Sequence, residues 1–191
     1  MALRDWFSRR SDGRCAAPRI QPMDVVKSPA SPGMKRLIAT VGGAAIGLIA
    51  VVASWEGKPT TEPHWDRIGK VWDVCYADTQ IEKRTYTEAE CKDILASRLA
   101  DYATVVLDRN PELRGHDPQV LAASSMTYNI GGAAYRRSTV ARRFSEGRWR
   151  SACDAMMMWT KAGGREIAGL RNRREAERAI CLRNIPAEFD R

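Results

Sequence analysis

The sequence predicts an α+β protein with a mostly helical body and one small β region. Three observations carry that reading. Apolar residues recur at helical spacing through most of the chain after Thr79. One aromatic, β-branched run, Val71-Trp72-Asp73-Val74-Cys75-Tyr76, stands apart from them. Proline and paired glycines, at Asn110-Pro111, Asp117-Pro118 and Gly131-Gly132, cut the rest into short helix-length pieces. With 191 residues, one domain plus appendages is expected.

Residues 1–36 form a basic segment rich in Arg, Ser and Pro, with no sustained period over 1–33, and are expected to be disordered. Met34-Lys35-Arg36 then abuts an uncharged stretch, which makes Met34 a candidate translation start. Leu37 to Trp55 is 19 residues without a charge. As one helix it would span about 28 Å, close to the hydrocarbon thickness of a bilayer. Gly42, Gly43, Gly47 and several alanines make it only weakly apolar. Preceding basic residues orient such a segment with its N-terminus in the cytoplasm. It reads as a cleaved signal peptide, a permanent anchor, or an anchor weak enough to leave the bilayer. Val51-Val52-Ala53 resembles a cleavage site, but cutting there would leave Glu56 near a frayed end. The two anchor readings therefore rank first, with 37–54 as a weak transmembrane anchor and 55–191 as the folded domain.

The β region is expected at 66–77. Thr87-Glu88-Ala89-Glu90 has the capping-box pattern, and Cys91, Ile94, Leu95, Leu99, Tyr102, Val105 and Val106 continue it as one buried helical face. Asp117-Pro118 reads as N-cap and first-turn proline of a helix to about Tyr128. Further helices are expected around 138–146, 149–160 and 171–183. The Met156-Met157-Met158 run is expected to pack within a helix. Arg171, Arg173, Arg174 and Arg178 read as a solvated helix face, and His64 and His116 as surface residues.

The net charge is +8, with +5 of it in residues 1–36. Such a balance seeks a polyanion: nucleic acid, an anionic membrane or an anionic wall. No nucleic-acid-binding motif is present, so nucleic acid ranks last. The chain has no CxxC and no Cys/His cluster, which argues against a metal; no cofactor is expected. Cys75, Cys91, Cys153 and Cys181 all follow the apolar segment. That fits two disulfides in an oxidising compartment better than four buried thiols. Glu56 and Asp66 suit acid/base work on a glycosidic bond, one protonated to donate and one ionised to activate water. A Glu at a helix end, walled by apolar residues, suits the acid. On spacing alone, two solvated surface acids are by far the commoner case.

The motifs taken together resemble a known family. Trp55-Glu56-Gly57, Asp66, Val71-Trp72-Asp73-Val74-Cys75-Tyr76 and Thr79 resemble the active-site segment of the phage-type lysozymes, endolysins of glycoside hydrolase family 24. Thr85-Tyr86-Thr87-Glu88-Ala89-Glu90-Cys91 resembles that family's next helix start. So do Met126-Thr127-Tyr128-Asn129-Ile130-Gly131, and Trp159-Thr160-Lys161-Ala162-Gly163-Gly164 with Gly169-Leu170-Arg171-Asn172-Arg173-Arg174, for later elements. The weak anchor resembles the signal-anchor-release subtype, held inactive in the inner membrane until it depolarises. Three departures stand out. Asp66 lies one residue further from Glu56 than usual, Asp73 replaces a Thr, and Ala77-Asp78 replace Gly-His.

The resemblance implies a lysozyme-like fold, with a small β lobe beside the cleft. It implies hydrolysis of the β-1,4 bond between N-acetylmuramic acid and N-acetylglucosamine in peptidoglycan, for host cell lysis. Glu56 is then the general acid and Asp66 orients or activates water. Asp73 holds that water, serves as the base, or perturbs its neighbours by repulsion. Thr79, Tyr128 and Ser138 match positions lining the sugar cleft, although a tyrosine such as Tyr128 also suits core packing. The implied disulfides are Cys75–Cys91 and Cys153–Cys181. The expected partners are peptidoglycan and inner-membrane lipid, for a monomer anchored in the host inner membrane and then released to the periplasm. A catalytically weakened, membrane-tethered peptidoglycan-binding protein is the alternative.

Overall fold

In a computed structural model, residues 31–67 and 70–189 are described; the disorder expected for residues 1–30 falls outside these. Helices α1 (Pro32–Val41) and α2 (Ala44–Glu56) open the chain. A hairpin follows, β1 (Thr60–Asp66) and β2 (Val71–Cys75). The body comprises α3 (Glu88–Arg109), α4 (Asp117–Ile130), α5 (Gly132–Arg136), α6 (Thr139–Ser145), α7 (Trp149–Ala155) and α8 (Ala168–Cys181). Between α7 and α8 lie a 3₁₀ turn at Met156–Met158 and a two-residue hairpin, β3 (Lys161–Ala162) with β4 (Arg165–Glu166).

The single helix expected over Leu37–Trp55 is two helices. Gly42 takes φ +54°, a left-handed value that glycine adopts without strain, and α1 and α2 meet at a bend of 115°. Among the described residues no single helix is long and apolar enough to cross a membrane, whereas the bent pair together has the length and composition. Helix α1 starts at Pro32, inside the segment expected to be disordered, with Ser31 as its cap. It lies along α3, burying Leu37 and Val41, while α2 lies on α4 and buries Ala44, Ala45, Leu48, Ile49 and Val52. Small residues permit this approach. A Cβ on Gly43 would meet an Asp117 carboxylate oxygen at 2.6 Å, and one on Gly47 would meet Leu121 Cδ1 at 2.8 Å. Polar contacts add to it. Asp93 of α3 accepts the Ser31 hydroxyl and the Gly33 amide (2.7 Å), and Arg36 pairs with Asp101.

Helix α4 is the centre of the body. Its residues from Gln119 to Thr127 are nearly all buried, and Ala122, Ala123, Ser124 and Ser125 let α2, α3 and α8 pack closely around it. Helix α3 begins with the capping box read from the sequence. The Thr87 hydroxyl accepts the Glu90 amide at 3.1 Å and the Glu90 carboxylate accepts the Thr87 amide at 2.7 Å. At α4 the cap is His116 rather than Asp117, which is already helical.

The β region starts earlier than expected, at Thr60, because β1 carries no apolar alternation to announce it. Its register pairs Asp66 with Val71, Trp65 with Trp72 and His64 with Asp73, then slips, so that Thr60 faces Cys75. The slip is a bulge around Thr61–Pro63, where a proline cannot donate to the ladder. Two further corrections concern side chains. The methionine run is a 3₁₀ turn that buries Met156 and exposes Met158. His116, expected at the surface, packs edge-on against buried Trp149, with ring centroids 4.8 Å apart.

Candidate active site

Glu56 is the last residue of α2, and Gly57 ends the helix with φ +79°. Its Oε1 accepts Arg173 Nη1 at 3.0 Å, and its side chain is 18 % exposed. Arg173 is fully buried. It also donates through Nε to Glu177 (3.2 Å) and through Nη2 to the Ser125 carbonyl (3.3 Å). Arg174, equally buried, pairs with Glu177 at 2.8 Å, and the Ser125 hydroxyl donates to Glu177 at 2.7 Å. Two cations and two carboxylates thus form a neutral ionic knot linking α2, α4 and α8. Burial pulls Arg173 down, but the charges of Glu177 and Glu56 outweigh it and hold the guanidinium above its ordinary value. Burial lowers Arg174 to about 10.

This overturns the reading of Arg173 and Arg174 as a solvated face, and it replaces the apolar wall expected around Glu56 with a guanidinium. The signal was present in the sequence. Leu170, Arg173, Arg174, Glu177 and Cys181 fall at helical spacing on one stripe, and a cysteine bound in a disulfide marks that stripe as buried. Arg171 and Arg178 do lie on the exposed side, paired with Glu166 and Asp154.

The hairpin register decides where the other acids stand. Directly opposed residues share a face, so His64, Asp66, Val71 and Asp73 lie on one face and Trp65 and Trp72 on the other. Asp66 and Asp73 are therefore diagonal neighbours, about 7–8 Å apart at the backbone. Both are buried, and His64 Nδ1 lies 3.8 Å from Asp73 Oδ1. The lobe is tied to α3 twice. Cys75, at φ +62°, is bonded to Cys91 in the first turn of α3, and Asp78 pairs with Arg98 at 2.7 Å. Arg98 is thus a supporting residue that sequence reasoning missed; Asp78, which stands where the resemblance expects His, is its partner. The second disulfide joins Cys153 of α7 to Cys181 at the end of α8.

Tyr128 of α4 reaches the lobe as well. Its hydroxyl donates to the Tyr76 carbonyl at 3.4 Å and its ring meets Tyr102 edge-on. Burial first, and then the charge of Glu56, push its hydroxyl above the ordinary tyrosine range, so it stays a neutral donor. Thr79 is half-buried in the turn after β2. Ser138 is buried and its hydroxyl accepts the Ala141 amide at 3.0 Å, which makes it the N-cap of α6. Among the described residues no group of His, Cys, Asp or Glu is arranged to hold a metal ion.

The model of the phage lysozyme family matches residues 53–177. The chain belongs to the phage lysozyme family. It is of the SAR-endolysin type, with a lysozyme-like fold, and is a glycoside hydrolase. It is 38% identical over 159 residues to the SAR-endolysin of Enterobacteria phage P21, covering 78% of this chain and 94% of that one. Against the SAR-endolysin of Bacteriophage PS119 the identity is 35%, covering 80% and 96%. Among solved structures, the muramidase domain of SpmX from Asticaccaulis excentricus superposes with a TM-score of 0.63 at 26% identity, covering 71% of this chain and 95% of that one. The active form of the P1 phage endolysin Lyz superposes with a TM-score of 0.63 at 18% identity, covering 78% and 91%, and so shares the fold.

Proposed function

We propose that this lysozyme hydrolyses the β-1,4 bond between N-acetylmuramic acid and N-acetylglucosamine in peptidoglycan, with Glu56 as the general acid. The observation that carries the reading is Glu56 at a helix end, one oxygen fixed by a buried arginine, followed after three residues by a hairpin that carries two acids on one face. Arg173 holds Oε1, so the second oxygen is the one to carry the proton to the leaving sugar oxygen. Because Arg173 divides its charge between Glu177 and Glu56, it positions the acid without standing as an unbalanced cation beside it. Asp66 activates or orients water, and Asp73, its diagonal neighbour, helps to hold that water. Tyr128 and Thr79 line the sugar side.

The apolar segment at 37–54 serves as a signal anchor, N-terminus in the cytoplasm, which leaves the bilayer for the periplasm. The packed form described above is then the released one. In the bilayer the bend at Gly42-Gly43 straightens into one span, which glycine permits at both of its backbone settings. Glu56 would then lie at the lipid boundary, away from Arg173, and the enzyme would be silent. The names of the relatives, the Lys35-Arg36 pair before the segment and its lack of charge support this.

The test is clearance of purified Gram-negative sacculi by the detergent-released full-length protein and by Glu56→Gln. Clearance by the wild type and at least about a hundredfold less by the variant is expected. Equal clearance by both would remove Glu56 from the mechanism. Binding without clearance by the wild type would mark a wall-binding protein instead.

A further inference from the structure

The outer face of the hairpin carries chemistry that the catalytic reading leaves unused. Trp65 and Trp72 are directly opposed across the strands, edge-to-face with centroids 5.6 Å apart, and are 42 % and 47 % exposed. Paired indoles left this exposed keep apolar area in water that a partner surface would cover. Arg67 directly follows β1 and is exposed, and Lys70 is exposed just before β2. Lys58 is exposed just before β1; Glu62 is the exposed carboxylate on this strand. Apolar rings with a polar N–H, ringed by cations, are the chemistry of the headgroup layer of an anionic bilayer.

Position in the chain selects that partner over a glycan. Asp66 and Asp73 lie on the opposite face of the hairpin, so on the proposed function a sugar strand would be held on that side. The Trp face is also tethered to the end of the apolar segment. Only Gly57, Lys58 and Pro59 separate α2 from β1, so Thr60 lies within about 14 Å of the helix end even if the link is fully extended. While the segment spans a bilayer, the hairpin is therefore held at its outer surface.

We infer that the Trp65–Trp72 face, with Arg67 and Lys70, docks on the anionic lipid surface beside the anchor. There it holds the β lobe flat on the bilayer until release. This rests on the anchor reading above.

The experiment is sedimentation of the full-length protein with vesicles of equimolar phosphatidylglycerol and phosphatidylcholine, and with phosphatidylcholine alone. It compares the wild type with W65T/W72T and R67Q/K70Q, with circular dichroism and sacculus clearance as controls of folding. Threonine keeps the strand propensity. W65T/W72T is expected to bind the anionic vesicles about tenfold more weakly, and R67Q/K70Q to lose most of the preference for them over phosphatidylcholine. Unchanged partitioning of W65T/W72T overturns the inference. So does unchanged vesicle binding with weaker binding to sacculi, which would assign the face to the wall. Carbonate-washed membranes from cells expressing the wild type separate the two readings. Wild type retained in them, with indifferent tryptophans, leaves the anchor standing and removes only the docking face. Wild type absent from them removes the anchor reading and this inference together.

Discussion

Helices α2 and α4 are both apolar, both rich in small residues, and packed against each other, yet they are held in different ways. Helix α4 is fixed by specific polar bonds as well as by area. Gln119 donates to the carbonyls of Cys181 and Arg183, at 2.6 and 2.7 Å, and Ser125 donates to Glu177. Helix α2 has no charged residue before Glu56, and its grip on the body comes from apolar contact and from that final residue. Such area is as well satisfied by lipid as by protein. On the anchor reading such a helix has two acceptable solvents, whereas α4 has one.

The largest effect comes from breaking the body side. Glu177→Ala leaves Arg173 and Arg174 buried with one carboxylate between them. It should cost about 3–5 kcal/mol, read as a lowered urea midpoint with an unchanged slope. A loss under 1 kcal/mol would mean that the knot does not hold α8 to α4. The next test breaks the other side. Leucine at Gly43 and Gly47 collides with Asp117 and Leu121 in the packed form, but adds apolar surface in lipid. Overpacking of this kind costs about 1–3 kcal/mol per site. Membrane fractionation should find the double variant retained and lysis lost, and normal lysis would show that α2 can act without seating on α4.

The smallest effect sharpens the comparison at α3, whose first two turns support both regions. Cys91 there ties down the β lobe, and Asp93 receives the start of α1. Glu90 is held to about 2 by the Thr87 amide first, then by Arg84 and the Thr87 hydroxyl. Its folded value is lower than its unfolded one, so its contribution is complete above about 4.5 and disappears as pH falls toward 2. Hydrogen exchange in this turn should quicken over that window, and Glu90→Gln should flatten the dependence. An equal acid response in that variant would locate the titrating group elsewhere.

Much of this was legible from residues alone, for physical reasons. The capping box, the Asn110-Pro111 stop and the Gly131-Gly132 break are local devices, and local devices are written in adjacent residues. The start of β1 was not, because Thr60 to His64 includes a proline and a bulge, and strand pairing is decided by the partner. Arg173 and Arg174 suggest a solvated face in the sequence because charge usually is solvated. Their partner Glu56 lies 117 residues away, a separation no local pattern reports. The break at Gly42-Gly43 stood in plain view, but a bilayer-length uncharged run favours one helix until the body it packs on is known.

On the proposed reading, the bond between Glu56 and Arg173 makes this enzyme a coincidence detector. The group that would donate the proton is also the group that fastens α2 to α8, so the acid would come into place only with its helix. Half-release would then yield no partial enzyme, and lysis would begin when seating is complete.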